Sequence, residues 1–467
     1  MAAGNSTIDR SMPPAPGTPK DVTFPEWFEH TLDNGLKVVV YEQHALPMVA
    51  VNLVAHGGSF YDGAFPGLAG MTAELLTKGS ATRSASDVVE EIEFLGGSIG
   101  STAGWDSISI GVSILSRHVA RAMEVIADCA RNPAFPEEEI VRVREQRIAD
   151  ILQNQSSPGM LAWERFNHAV YGDHPYGQSP DGSVVSISAL DAAQLRDFHA
   201  GRFVPSNMVL LAVGDVTPDE MLRQAEALFG DLPAGTARPT AGALPDIEPG
   251  RRVHIVDRPR AVQSSVLVGH VGIPRDHEDF IAVYLLNMLF GGYFGSRLNL
   301  NLREDKGYTY GAHARFDARR HAGPFSAGAE VRNEVTDAAI AEMLMEMERV
   351  RTDPVGAEEL ENVKKYVTGS FPLQIETPSQ VAQRIMNIEL YGLEKNYYNS
   401  FNSRILALTA EDIRRAAQRW FDPDGAVIVA AGRGGLLRNT LERFGAVELF
   451  DAEGKRIPNV ETQAQDT

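Results

Sequence analysis

Residues 187–215, ISALDAAQLRDFHAGRFVPSNMVLLAVGD, can be laid without a gap on residues 405–433, ILALTAEDIRRAAQRWFDPDGAVIVAAGR, at a constant offset of 218 (405 − 187). Ile187, Ala189, Leu190 and Ala192 meet Ile405, Ala407, Leu408 and Ala410. Phe203, Pro205, Val209 and Gly214 meet Phe421, Pro423, Val427 and Gly432. Each copy opens a helix on a residue able to cap it, Asp191 or Thr409. Each then passes through Phe-x-Pro into an apolar strand, Met208 to Val213 or Ala426 to Ala431, that ends at glycine. A helix and a strand recurring at fixed spacing over so long a segment mark a tandem duplication of an α+β unit.

The joint between the copies falls in Leu232 to Gly250, where Pro233, Gly235, Pro239, Gly242, Pro245 and Pro249 interrupt two periodic regions. The expected organisation is a tail (1–22), a first half (23–235), a linker (236–250), a second half (251–450) and a C-terminal tail (451–467). In the first half, His30 to Tyr41 reads as strand, Asn34-Gly35 turn, strand. A further strand spans Met48 to Val54. Leu68, Met71, Leu75 and Leu76 have helical spacing within Gly67 to Lys78, and Gly79 is placed to stop that helix. A second helix is expected from Ser86, as its cap, to Leu95. Ser107 to Ile114 alternates with period two, as a half-buried strand does, and two long helical patterns follow at 116–131 and 136–155. In the second half, Asn301 to Gly311 reads as a helix end running into a strand, with Arg303 closing the helix and Tyr310 two residues into the strand.

The chain has 467 residues, enough for two domains, and 43% of them are hydrophobic. Acidic residues outnumber basic ones, 62 to 43, for a formal net charge of −19, which argues against nucleic acid as a partner. Cys129, the single cysteine, can form neither an intrachain disulfide nor a thiolate metal cluster, and its helical surroundings mark a small buried hydrophobe. No stretch is apolar enough to insert in a membrane. The Pro- and Ser-containing start lacks the apolar core of a signal peptide. A cytoplasmic location is expected if the sequence is complete, and a periplasmic one if a signal peptide has been removed.

Several segments, weak singly, gain weight from their order: Gly67-Leu68-Ala69 with Lys78-Gly79-Ser80, the loop His174-Pro175-Tyr176-Gly177, the strand Asn207 to Asp215, and Gly295-Ser296-Arg297-Leu298-Asn299 before Leu302-Arg303-Glu304. With the duplication, this pattern resembles the M16 family of zinc metallopeptidases, in particular the half-size M16B group that includes mitochondrial processing peptidase, over nearly the whole chain. The resemblance implies two halves, each a mostly antiparallel sheet packed with helices.

Active members carry His-x-x-Glu-His on the first helix of the N-terminal half: two histidines one turn apart share a zinc, and the glutamate activates its water. A glutamate further along is the third ligand. With the flanking segments fixing the register, the two histidine positions fall on Gly70 and Glu74, the glutamate position on Ala73, and the downstream ligand near Ala149 or Asp150. Glycine and alanine supply neither ligand nor base, so no metal is expected in this chain. No other histidine cluster replaces the motif; His168, His174, His313 and His321 read as ordinary surface or hydrogen-bonded residues. Gly291-Gly292-Tyr293-Phe294-Gly295 lacks the lysine-serine pair of a phosphate loop.

The second-half signature survives. M16 enzymes use an arginine followed seven residues later by a tyrosine, and here these are Arg303 and Tyr310. Spacing alone favours an arginine at a helix C-terminus and a tyrosine packing beside Tyr308. The resemblance instead implies that Arg303 grips a substrate carbonyl and Tyr310 donates to the oxyanion, a donor whose loss typically costs about 3 kcal/mol of transition-state stabilisation. The implied protein is the non-zinc subunit of a heterodimeric M16B peptidase acting on unfolded peptides. A sister chain bearing His-x-x-Glu-His would supply the zinc, and the isolated chain would be inactive. The alternative is a catalytically inactive structural or peptide-binding protein with the same fold.

Overall fold

The computed structural model describes residues 23, 24, 26–237 and 250–458. The expected N-terminal tail, most of the linker and the end of the C-terminal tail lie outside the described residues. Six strands form the first sheet: β1 (Phe28–Thr31), β2 (Lys37–Glu42), β3 (Met48–His56), β4 (Ser98–Ala103), β5 (Ser107–Leu115) and β6 (Met208–Gly214), in the order β1-β2-β6-β3-β5-β4. Seven form the second: β7 (Arg252–Asp257), β8 (Gln263–Val271), β9 (Ala312–Phe316), β10 (Pro324–Arg332), β11 (Val427–Gly432), β12 (Ala446–Phe450) and β13 (Arg456–Ile457), in the order β13-β12-β7-β11-β8-β10-β9.

The repeat is visible strand for strand. β6 runs parallel to β2 and antiparallel to β3, and β11 runs parallel to β7 and antiparallel to β8. The preceding helices, Ala192–Arg202 and Ala410–Trp420, start at the same offset, each behind a complete capping box on Asp191 or Thr409. The remaining pairs in the first sheet are antiparallel, so the α+β duplication holds as expected.

β6 and β11 are buried along their whole length, which explains why their sequences are continuously apolar instead of alternating. The second cover comes from the opposite half. Helix Pro158–Tyr171, from the first half, buries Leu161, Ala162, Phe166, Ala169 and Val170 against Val256, Leu267, Val427, Val429 and Ala431 of the second sheet. Helix Pro378–Tyr391 buries Val381, Ala382 and Ile385 in a cluster that contains Ala50, Val54, Val209 and Leu211 of the first sheet. Each exchanged helix ends on a tyrosine that bonds the far half's hairpin tip. Tyr171 donates to the Ala322 carbonyl at 2.9 Å, and Tyr391 to Asp106 Oδ2 at 3.2 Å.

The expected strand, Asn34-Gly35 turn and strand are present: Gly35 N–H donates to Leu32 O at 2.8 Å, Leu32 N–H to Leu36 O at 2.9 Å, and the Asn34 side chain also reaches the distant Phe229 carbonyl at 2.7 Å. Local expectations shift in three places. The helix expected from Ser86 spans Ala85–Phe94 and is capped by Ser84 in a capping box with Asp87. Around Arg303 the backbone forms a π-helix, Asn299–Asp305, and β9 begins only at Ala312, so Tyr310 precedes the strand. Past residue 450 the chain stays in the sheet: Arg456–Ile457 pairs with β12.

Candidate active site

Helix Leu68–Leu75 begins behind Gly67, whose φ of +93 suits glycine. Asp62 ties down its first turn, accepting from Gly67 N–H at 2.8 Å and Ala69 N–H at 2.7 Å. Burial pushes the Asp62 carboxyl up to about 7, against the pull of those two amides and of Arg147. On this helix Ala73 is buried in the core of the first half, and Gly70 and Glu74 face helix Glu137–Asn154.

The residue that helix presents is Arg147. Its Nε lies 3.0 Å from Glu74 Oε2, and its two terminal nitrogens lie 3.0 and 3.2 Å from where a Cβ on Gly70 would sit. The guanidinium therefore covers the glycine and occupies the carboxylate. Asp150, one turn on, accepts from Gln146 Nε2 at 2.9 Å; Glu74, Arg147, Asp150 and Asp181 line a cavity of about 430 Å³. These residues do not fit a zinc ion: one carboxylate is committed to Arg147, and no histidine or cysteine lines the cavity. Among the described residues no group of three His, Cys, Asp or Glu side chains converges as a metal would require. Sequence reasoning missed Arg147; its position three residues before Asp150, on the same face of a helix, was the available signal.

The second constellation is built on the π-helix. Asn299 accepts the Ala312 N–H at 3.0 Å and donates to Tyr293 O and Ser296 Oγ, so it ties the segment to the start of β9. Asn301 donates to Glu342 Oε2 and Glu346 Oε1, both at 2.9 Å, on helix Thr336–Thr352. Between these anchors Arg303 lays its guanidinium over the Phe294 ring, 4.4 Å from the centroid, with Glu304 Oε1 3.4 Å from its Nε. Phe294 is 67% exposed and Tyr310 94% exposed. Tyr308, not Tyr310, packs against the core of the second half. The packing alternative thus describes Tyr308 and fails for Tyr310. Arg303 and Tyr310 share one short segment and make no hydrogen bond, ion pair or ring contact with each other or with Gly70, Ala73 or Glu74 among the described residues. Phe294, which sets the plane of Arg303, was not singled out from sequence.

Two family models match the chain, "Insulinase (Peptidase family M16)" over residues 37–180 and "Peptidase M16 inactive domain" over residues 189–367. The chain belongs to peptidase family M16. Among curated M16-like relatives, an uncharacterized zinc protease of Rickettsia bellii is 27% identical over 402 residues, covering 84% of this chain and 94% of the relative. The uncharacterized zinc protease YmxG of Bacillus subtilis is 23% identical over 413 residues, covering 87% and 98%. A crystal structure of a peptidase M16 inactive domain from Pseudomonas fluorescens superposes with a TM-score of 0.83 at 28% identity, over 87% of this chain and 98% of that one. A protease from Helicobacter pylori has the same fold, with a TM-score of 0.83 at 21% identity, over 88% of this chain and 100% of that one. In this M16 chain the insulinase-type match includes Gly70, Ala73 and Glu74, and the inactive-domain match includes Arg303 and Tyr310.

Proposed function

We propose that this chain is the zinc-free, substrate-binding member of a two-chain M16B peptidase, and that Arg303 and Tyr310 enter an active site whose metal and general base belong to a sister chain bearing His-x-x-Glu-His. The observation that carries this reading is the contrast between the two constellations. Arg147 closes the first by covering Gly70 and pairing with Glu74, whereas Tyr310 stands 94% exposed with its phenol unengaged among the described residues.

Arg303 has a planar fork of donors, and the Phe294 ring beneath it fixes that plane. Such a fork suits a peptide carbonyl, and the Tyr310 hydroxyl suits the oxyanion that develops when that carbonyl is attacked. The substrate class is an unfolded peptide bound in extended form. The proposed organisation comprises the halves bounded at residue 235 and from residue 251, with zinc in the sister chain and none here.

The test is reconstitution. The purified chain, free of stoichiometric zinc by metal analysis, is titrated into its sister chain with an unfolded peptide as substrate. Activity rising to a plateau at one-to-one stoichiometry supports the reading. A sister chain fully active alone, or stoichiometric zinc bound here, refutes it, and a stable complex without peptidase activity favours the structural alternative.

A further inference from the structure

A cleft of about 770 Å³ lies where helix Pro158–Tyr171 meets the β12–β13 hairpin; it adjoins the cavity beside Arg147 at Ile151 but is lined by none of Gly70, Glu74, Arg147, Arg303 and Tyr310. Arg165 lines it, and its situation is unusual for a cation. Its guanidinium sits over the Phe450 ring, 4.2 Å from the centroid, and its Nε is sealed from water with no acceptor. No hydrogen bond or ion pair engages it among the described residues; Glu448, the carboxylate it senses through space, is paired with Arg456 at 2.9 Å. Burial draws its pKa down to about 10. A half-buried guanidinium with a sealed Nε and no anion partner carries a desolvation cost, and a bound anion relieves it.

The lining narrows the choice of anion. Glu164, Asp451 and Glu453 outnumber Arg165 and Lys455 along the same cleft and disfavour a dianion such as phosphate. Leu152, Leu161 and Val256 supply an apolar wall. One negative charge beside an apolar side chain is the chemistry of a peptide's C-terminal residue. We propose that this cleft binds the free C-terminal carboxylate of short peptides, with Arg165 as the fork that receives it and the apolar wall taking the terminal side chain.

The experiment uses the full chain without a sister subunit, so its outcome is independent of the reading of Arg303 and Tyr310. Binding of the tripeptide Ala-Ala-Leu and of its C-terminal amide is measured by calorimetry on the wild type and on Arg165→Gln and Arg165→Lys. The free acid is expected to bind about tenfold or more tighter than the amide, the difference that one charge-assisted pair of hydrogen bonds supplies. That preference should vanish in Arg165→Gln and persist in weakened form in Arg165→Lys. Equal binding of acid and amide by the wild type, no binding of either, or an acid preference that survives in Arg165→Gln overturns the proposal. Inorganic phosphate binding at Arg165 more tightly than the tripeptide also overturns it, by making the cleft a phosphate site.

Discussion

A single residue, Arg147, accounts for the state of the N-terminal constellation. It supplies a positive charge beside Gly70 and Glu74, and Glu74 is held by it. Because Arg147 and Glu74 are both partly exposed, their coupling in a double-mutant cycle with Arg147→Ala and Glu74→Ala is expected to be about 1 kcal/mol, read from equilibrium unfolding. A coupling indistinguishable from zero would remove the pair as the reason this site is closed. Asp62 gives a second expectation. Its folded-state pKa, about 7, lies above its ordinary 3.8, so between these values the native state holds a proton that the unfolded chain has released. Its contribution to stability is therefore present in full below 3.8, falls as pH rises and is gone above 7. Asp62→Asn should flatten the pH dependence of unfolding free energy across that window, and an unchanged slope would assign it to other groups.

At the level of elements, the exchanged helices decide how the halves are joined. Phe166 is fully buried between helix Pro158–Tyr171 and the second sheet, and it stacks on Trp163. Phe166→Ala should cost about 3–5 kcal/mol by the cavity it leaves, measured by denaturant unfolding. Early proteolytic cutting between the halves should accompany that loss. A cost below about 1 kcal/mol would mean the helix is not what holds the second sheet. The helix–strand repeat was legible because its capping residues, Phe-x-Pro turn and apolar strand are local signals, and they correctly placed β6 and β11. The exchange was not legible, since an apolar helix face says that it is buried and not against which sheet. The π-helix around Arg303 was equally hidden: its register depends on Asn299 and Asn301 reaching Ala312, Glu342 and Glu346, contacts made only after folding. At Gly70, Ala73 and Glu74 the sequence shows two residues without a ligating side chain and one carboxylate. What faces them was not legible, because Arg147 meets Glu74 through the crossing of two helices far apart in sequence.

Across the whole molecule, the duplication has left two halves of opposite character. In the first half's constellation Arg147 engages Glu74, whereas the second half presents a half-buried Arg303 and an exposed Tyr310. The role proposed for Arg303 and Tyr310 is in an active site completed by another chain. It is tested most directly by the turnover of the reconstituted complex with Tyr310→Phe in place of the wild-type chain. The expected result is a kcat lower by roughly a hundredfold, the loss of one oxyanion donor, with complex formation and KM little changed. Undiminished turnover in a fully assembled complex would contradict that role.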